Sequence, residues 1–393
     1  MNADSDFIYL LRAVVNGKTA CEVSNWEEVY KKLRQHNICN FVWELAQKDR
    51  TCPKEILSQI HRAFLAAIAA DMNQQQEIAL TQQMFEKNNI QAIMLKGWLM
   101  KKLYLRSDLR TMADTDIFIK SENEEDIHRQ LLQLGYQSKT YGGKKDNTYF
   151  KEPYVTLEMH KNLFMYEDMW NDCFNAPDSP MYIWKRLTTI DGFHCIFQMD
   201  LELFYVYMIA HMAKHLKDDG GIGVRAFMDL YVYRRQYRES MDWEAIHRDF
   251  ALLGLTTFSE RAAILSDCWF LNEKDDITYP NESYKRFADY ILDGGTYGSM
   301  DNFVINNEIM RGKREIGSIQ YIWQRAFPSR ASMEKRFPEL KEKRYLLPSC
   351  WMKRLWRDGF HRMEAVKSEI KSVKKTDLNR VKEVQEMYQE WGL

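Results

Sequence analysis

The sequence lacks an excess of charge of either sign. Its 393 residues carry 55 Lys and Arg against 56 Asp and Glu, a formal net charge of −1. No global basic field recruits a polyanion, so long nucleic acid is not the expected partner. Local basic clusters at 341–344 and 353–357 are interspersed with acidic residues and read as solvated helix faces. Paired cysteines are missing too. The 7 Cys stand apart at positions 21, 39, 52, 173, 195, 268 and 350 with no Cys-x-x-Cys, which leaves zinc-ribbon and thioredoxin-type chemistry without support. A dispersed, odd set fits reduced, mostly buried thiols in a cytoplasmic protein. Long hydrophobic runs are also lacking. The richest stretch, LELFYVYMIAHMAKHL (201–216), contains a Glu and two His and is too short to span a bilayer. The opening MNADSDFIYLLRAVV has no basic n-region and no clear cleavage site, so a secretory signal is not expected. There is no low-complexity linker and no internal duplication.

What is present is ordinary globular material, 45% hydrophobic and 28% charged, in a chain long enough for two or three domains. Residues 1–88 read as helical. WEEVYKKLRQH (26–36), FVWELAQK (41–48) and a long run after Pro53 repeat apolar residues at three and four, until Asn88 and Asn89 close the run. The texture changes at Ile90. IQAIMLKG (90–97) is a short β-rich run ending in glycine, and WLMKKLYL (98–105) returns to helical spacing. DTDIFIK (114–120) alternates, and SENEEDIHRQLLQLG (121–135) predicts a helix with Ser121 as N-cap and an acidic first turn. YQSKTYG, NTYFKEP and YVTLEMH predict three strands, with turns at Gly142–Gly143 and near Pro153. The fold class expected is therefore α+β. A small mixed-sheet unit over 89–165 is flanked by an N-terminal helical region (1–88) and a mostly helical C-terminal region (166–393). Within the latter, 183–199 predicts a hairpin turning at Asp191–Gly192. Helices are expected at 200–217, 224–238, 242–252 and 257–270, and over 283–393 with breaks at Pro328, Pro338 and Pro348.

The most informative segment is TMADTDIFIK (111–120). Alternate side chains of a strand share a face, so Asp114 and Asp116 point the same way. Two such charges about 4 Å apart repel by about 4 kcal/mol at an effective dielectric near 20, against about 1 kcal/mol in water. A half-buried Asp-x-Asp therefore calls for a cation, most simply a hard divalent metal with oxygen ligands. In VTLEMH, Val155, Leu157 and Met159 form an apolar face and leave Glu158 and His160 on the other. Beside the 114–120 strand, Glu158 would complete a three-carboxylate site able to hold one or two Mg²⁺. The same alternation also suits a plain solvent face. Lys96 and Gly97 stand at a strand end before a helix, where a glycine admits a phosphate and a lysine adds a point charge. Ordinary turn chemistry uses glycine there as well.

Together these residues resemble the polymerase-β-type nucleotidyltransferase fold, and most closely a bacterial family of uncharacterised nucleotidyltransferases. The resemblance is carried by LKGWLMKKLYLRSDLRTMADTDIFIK and the later LEMH, that is by Lys96, Gly97, Arg110, Asp114, Asp116, Glu158 and His160. It extends into HMAKHLKDDGGIGVRAFMDLYVY (211–233) and, more loosely, to the N-terminal helices and the FPS…FPEL segment. It implies transfer of an NMP from an NTP, by default ATP, to an acceptor hydroxyl with release of pyrophosphate. Asp114, Asp116 and Glu158 would be catalytic and metal-binding, and Lys96, Gly97 and Arg110 would bind phosphates. One departure stands out. The superfamily usually has Gly-Gly or Gly-Ser at the first strand end, whereas Trp98 follows Gly97 here. Either Lys96 and Arg110 take over the grip on the phosphates, or the nucleotide site is altered and the fold serves as a regulatory, antitoxin-like binding module for a partner protein.

His211 and His215 lie four apart on one helix face. The zincin pattern has the same spacing but needs a Glu where Met212 stands, so zinc proteolysis is disfavoured. The pair faces either the sheet unit or the cleft. The resemblance places it in the cleft with His160 and Arg225, with Asp229 as the i+4 partner of Arg225. The aromatics fall at helical spacing and read as packing. The acceptor, whether small molecule, sugar or protein, is not encoded in any motif.

Overall fold

The computed structural model describes residues 3–296 apart from 19–21, 143–145, 165–168, 219 and 272–276, then 298, 305, scattered positions between 327 and 353, and 378–393. Most of the predicted helix over 283–393, its breaks at Pro328 and Pro338, much of the FPS…FPEL segment, and residues 341–342 and 354–357 of the basic clusters lie outside the described residues.

Four helices lead in: α1 (Ala3–Val15), α2 (Trp26–Gln35), α3 (Trp43–Ala46) and the long α4 (Lys54–Lys87). Pro53 sits at the N-cap of α4, and Asn88 and Asn89 end it, Asn89 in the left-handed region at φ 52°. There follow β1 (Ala92–Met94), α5 (Lys96–Lys101), β2 (Thr115–Ile119), α6 (Glu124–Gln133), β3 (Gln137–Thr140), β4 (Asp146–Lys151) and β5 (Val155–His160). The helix expected from Ser121 begins at Glu124 instead. Residues 121–123 form a tighter turn, and the acidic first turn is Glu124, Glu125 and Asp126.

Beyond β5 come α7 (Met169–Asn175), β6 (Leu187–Thr189) and β7 (Ile196–Met199), then α8 (Leu201–Asp218), α9 (Val224–Tyr237), α10 (Trp243–Leu253), α11 (Thr256–Phe270), α12 (Glu282–Gly294) and α13 (Leu378–Glu390). The hairpin expected at 183–199 forms, with Gly192 at φ 82° in its turn. It is not separate from the sheet unit. β7 pairs in parallel with β1, so the seven strands run β3-β4-β5-β2-β1-β7-β6 and the sheet reaches beyond 89–165.

The sheet has two apolar faces of different ownership. Ile117, Ile119, Val155, Leu157 and Met159 pack against Ile127 and Leu131 of α6 and Ile78 and Phe85 of α4. On the other face, Ile93 and Phe118 join the large core that contains the buried side chains of α8 and α9. Asp116 shares the Phe118 face because strand side chains alternate. The polar residues of β2 and β5 are thus turned toward the helical region. Among the described residues, no helix is long and apolar enough to cross a membrane.

Candidate active site

The site is assembled by strand register. β2 and β5 pair in parallel with Asp116 directly beside Glu158. His160, at the end of β5, reaches back along the same face. Its Nε2 lies 2.8 Å from Asp116 Oδ1 and 3.5 Å from Glu158 Oε2. An ionised carboxylate only accepts, so Nε2 carries the proton and donates it to Asp116. His160 Nδ1 is buried without a hydrogen bond, 4.0 Å from Asp146 Oδ2. One ligand atom from each of Asp116, Glu158 and His160 falls within 4.8 Å of the others, close enough to share one ion.

Asp114 is outside that trio but belongs to the same electrostatic unit. Burial and the Asp116 charge push its carboxyl above the usual range, while Lys96, His160 and Arg110 pull it back. Glu158 is raised in the same way, by burial and then by Asp114 and Asp116. Negative charge is therefore crowded where water is scarce, the situation a divalent cation relieves. The donor set fits such an ion. Two or three carboxylates suit a hard cation, and the imidazole either completes the set or, through Nε2–H, fixes the Asp116 carboxylate.

Lys96 opens α5. Burial, helped by Arg110, pulls its ammonium down to about 8 against the opposing pull of Asp229, Asp116 and Asp114. Its Nζ is 2.9 Å from His211 Nδ1. Burial and the Lys96 and His215 charges keep His211 neutral, well below its ordinary value. Its Nδ1 then accepts from Lys96, and its Nε2 faces His215 Nε2 at 3.2 Å. The His-x-x-x-His face of α8 thus reaches the strand-end lysine. Gly97 is needed for space, since a Cβ there would stand 2.7 Å from Met112 Sδ.

Both arginines are engaged within the protein. Arg110 is held bidentately by Asp229, with Nη2 to Oδ2 at 2.8 Å and Nε to Oδ1 at 3.3 Å. Tyr104 donates to the same Oδ1 at 2.7 Å. Asp229, expected as the i+4 partner of Arg225, is thereby engaged across the molecule. Arg225 instead donates to the backbone oxygens of Thr111 at 3.1 Å and Asn37 at 2.6 Å. Arg110 Nη1 also donates to Thr111 O, at 3.2 Å. The pair of guanidiniums therefore anchors the loop that delivers Asp114.

Three residues went unnoticed in the sequence. Tyr104 and Asp146 carry no local signal. Tyr207 does, because it precedes His211 by one helical turn. Its ring lies 5.7 Å from that of His211, and burial with the Asp116 and Asp114 charges keeps its phenol protonated.

Comparison with known proteins adds one finding. A family model described as "Uncharacterised nucleotidyltransferase" matches residues 22–271, which takes in the whole sheet, α8 and α9. No curated protein and no solved structure matches the chain.

Proposed function

We propose, for a chain that belongs to the uncharacterised nucleotidyltransferase family, that it moves an NMP from an NTP to an acceptor hydroxyl, with ATP as the default nucleotide and one or two Mg²⁺ ions required. The observation that carries this reading is the in-register placement of Asp116 and Glu158 on adjacent parallel strands, with the Asp116 charge raising Asp114 and the Asp114 charge raising Glu158. A divalent cation held there would supply positive charge to the phosphates and the leaving pyrophosphate.

The chain's own groups then divide the work. Asp114 and Asp116 would hold the cation, and His160 fixes the Asp116 carboxylate through its Nε2–H. Glu158, raised by burial and by the two aspartates, is suited to take the proton of the acceptor hydroxyl. Lys96 supplies a cation to the phosphates, and Gly97 lets the backbone come close to them. His211 and His215 line the cleft on the α8 side, where Lys96 is already bound to His211. Arg110 and Arg225 serve the site by fixing the loop through Thr111.

Calorimetric titration with each Mg-NTP, followed by pyrophosphate release across acceptor classes, tests this reading. Binding of an NTP that is lost in Asp114→Asn/Asp116→Asn is expected. Absence of binding by any NTP, with the divalent-metal affinity of that double variant unchanged, would remove it.

A further inference from the structure

Three polar-tipped side chains stand in one line along α8. Tyr207, His211 and His215 are four positions apart, so each lies about 6 Å beyond the last on the same face. His211 reaches Lys96, just beyond the end of β1, and also meets His215. Tyr207 lies one turn nearer the helix start.

Neighbours on two sides fix where its ring sits. His211 is 5.7 Å away between ring centroids, on the Lys96 side. Phe164, four residues beyond His160 of β5, is 6.3 Å away, and Phe174 of α7 is 6.2 Å away. Tyr207 thus stands between the Lys96 corner and the segment that leaves β5. In the strand order, β2 with Asp116 lies between β1 and β5. Burial raises the Tyr207 phenol first, and the Asp116 and Asp114 charges raise it further through space, with no hydrogen bond to either. The ring is therefore over the carboxylates without being tied to them.

Among the described residues, the Tyr207 hydroxyl has nothing to donate to. The two phenyl rings beside it are apolar. Both His211 nitrogens are engaged, Nδ1 by Lys96 and Nε2 with His215. Tyr207 is 3% exposed, and its hydroxyl oxygen keeps part of that opening. Phenylalanine would fill the same space without leaving a donor unpaired. A phenol is a donor at any working pH. It does not suit the attacking hydroxyl, which has to give up its own proton. It suits an oxygen on which negative charge grows.

We infer, on the transferase reading above, that Tyr207 is a catalytic residue whose hydroxyl donates a hydrogen bond to a non-bridging oxygen of the phosphoryl group being transferred. A fixed donor aimed at such an oxygen, in a site largely closed to water, favours the transition state over the ground state.

The test is calorimetry on the full chain, wild type and Tyr207→Phe. The probes are Mn²⁺ alone, then ATP, GTP, CTP and UTP with Mg²⁺, then the two α-thio diastereomers of the nucleotide that binds. Tyr207→Phe removes one oxygen. It should keep its Tm and its Mn²⁺ affinity and bind the NTP about tenfold more weakly, the loss of one hydrogen bond to a charged group. One α-thio diastereomer should bind the wild type about tenfold more weakly than the parent nucleotide, because sulfur is a weak acceptor. The variant should no longer distinguish those two. Unchanged NTP affinity in Tyr207→Phe, or a thio discrimination as large in the variant as in the wild type, would overturn the role of Tyr207 and leave the transferase reading intact. Loss of Tm or of Mn²⁺ affinity together with NTP affinity would make the ring a support for the carboxylates and overturn it likewise. A wild type that binds Mn²⁺ but no NTP would remove the transferase reading and this role with it.

Discussion

Asp229 takes both arms of the Arg110 guanidinium, at 2.8 and 3.3 Å, although the two residues are 119 positions apart. Both are buried, at 2% and 8% exposure. Burial alone would raise the Asp229 carboxyl, but Arg110 and the Tyr104 hydroxyl hold it below its usual range. The pair fastens α9 to the loop before β2.

Removing one partner leaves the other charge buried and unpaired, which costs about 3–5 kcal/mol. Asp229→Ala should therefore lower the denaturation midpoint strongly, and Arg110→Met/Asp229→Leu should recover most of the loss. The pH dependence has a definite sign. A depressed folded pKa contributes stability above the ordinary carboxylate value and loses it as pH falls through the folded one. Urea melts between pH 5 and 2 should show a steeper acid loss in the wild type than in the apolar double variant. Equal slopes would exclude this pair as a source of the acid sensitivity.

The contrast between this pair and the carboxylates shows what the sequence could reveal. Asp116 and Glu158 were legible because strand period two fixes their faces, and a single assumption, that the strands are neighbours, brings them together. His160 followed from the same alternation. Arg110 with Asp229 was not legible, since it depends on how α9 packs over the sheet, which no local period encodes. The hairpin at 187–199 was visible in its turn residues, but its parallel pairing with β1 needs a crossover whose partner the sequence does not specify. Tyr207, one turn before His211, is readable in principle, but aromatics at helical spacing usually pack and so give no distinct signal.

Asp114 is costly to the protein without a metal. Burial and then Asp116 raise its carboxyl, so ionising it in the folded protein costs more than in the unfolded chain. A raised acid contributes stability below the ordinary value and loses it as pH rises through the folded one. Asp114→Asn should raise the Tm of the metal-free protein at pH 7 by about 1–2 °C while reducing transfer at least a hundredfold. Adding Mg²⁺ should stabilise the wild type and not the variant. A lower metal-free Tm in Asp114→Asn would contradict the crowding of charge at Asp114.

Lys96 supplies a second pH signature. With its ammonium pulled down to about 8, it is charged below that pH and neutral above it. The dissociation constant of NTP should therefore rise as pH increases through about 8. Lys96→Met should bind nucleotide more weakly throughout and show no such inflection. For folding the sign is opposite: a depressed base contributes stability above its ordinary value and loses it as pH falls through the folded one. Thermal melts of the metal-free wild type from pH 10 to 7 should thus lose stability relative to Lys96→Met. An NTP dissociation constant flat across pH 7–9 would exclude Lys96 from the phosphate site.

Gly97 tests whether the loop carrying Asp114 is held from below. A Cβ at this position would meet Met112 Sδ at 2.7 Å and Met112 Cγ at 3.3 Å. Met112 is buried, and its carbonyl oxygen accepts from Gln74 Nε2 at 3.0 Å, so its backbone is not free to retreat. The Met112 side chain must move instead, within two residues of Asp114 and against Arg110 Nη1, which lies 3.6 Å from the same Cβ. Gly97→Ala should cost about 1–3 kcal/mol, the usual price of overpacking, and lower kcat more than it raises KM. Gly97→Ala/Met112→Ala removes the clash at Sδ while keeping the new methyl. Recovery of kcat in that double variant would show that space against Met112 is what Gly97 supplies. A double variant as slow as the single one would show that the methyl obstructs the nucleotide itself.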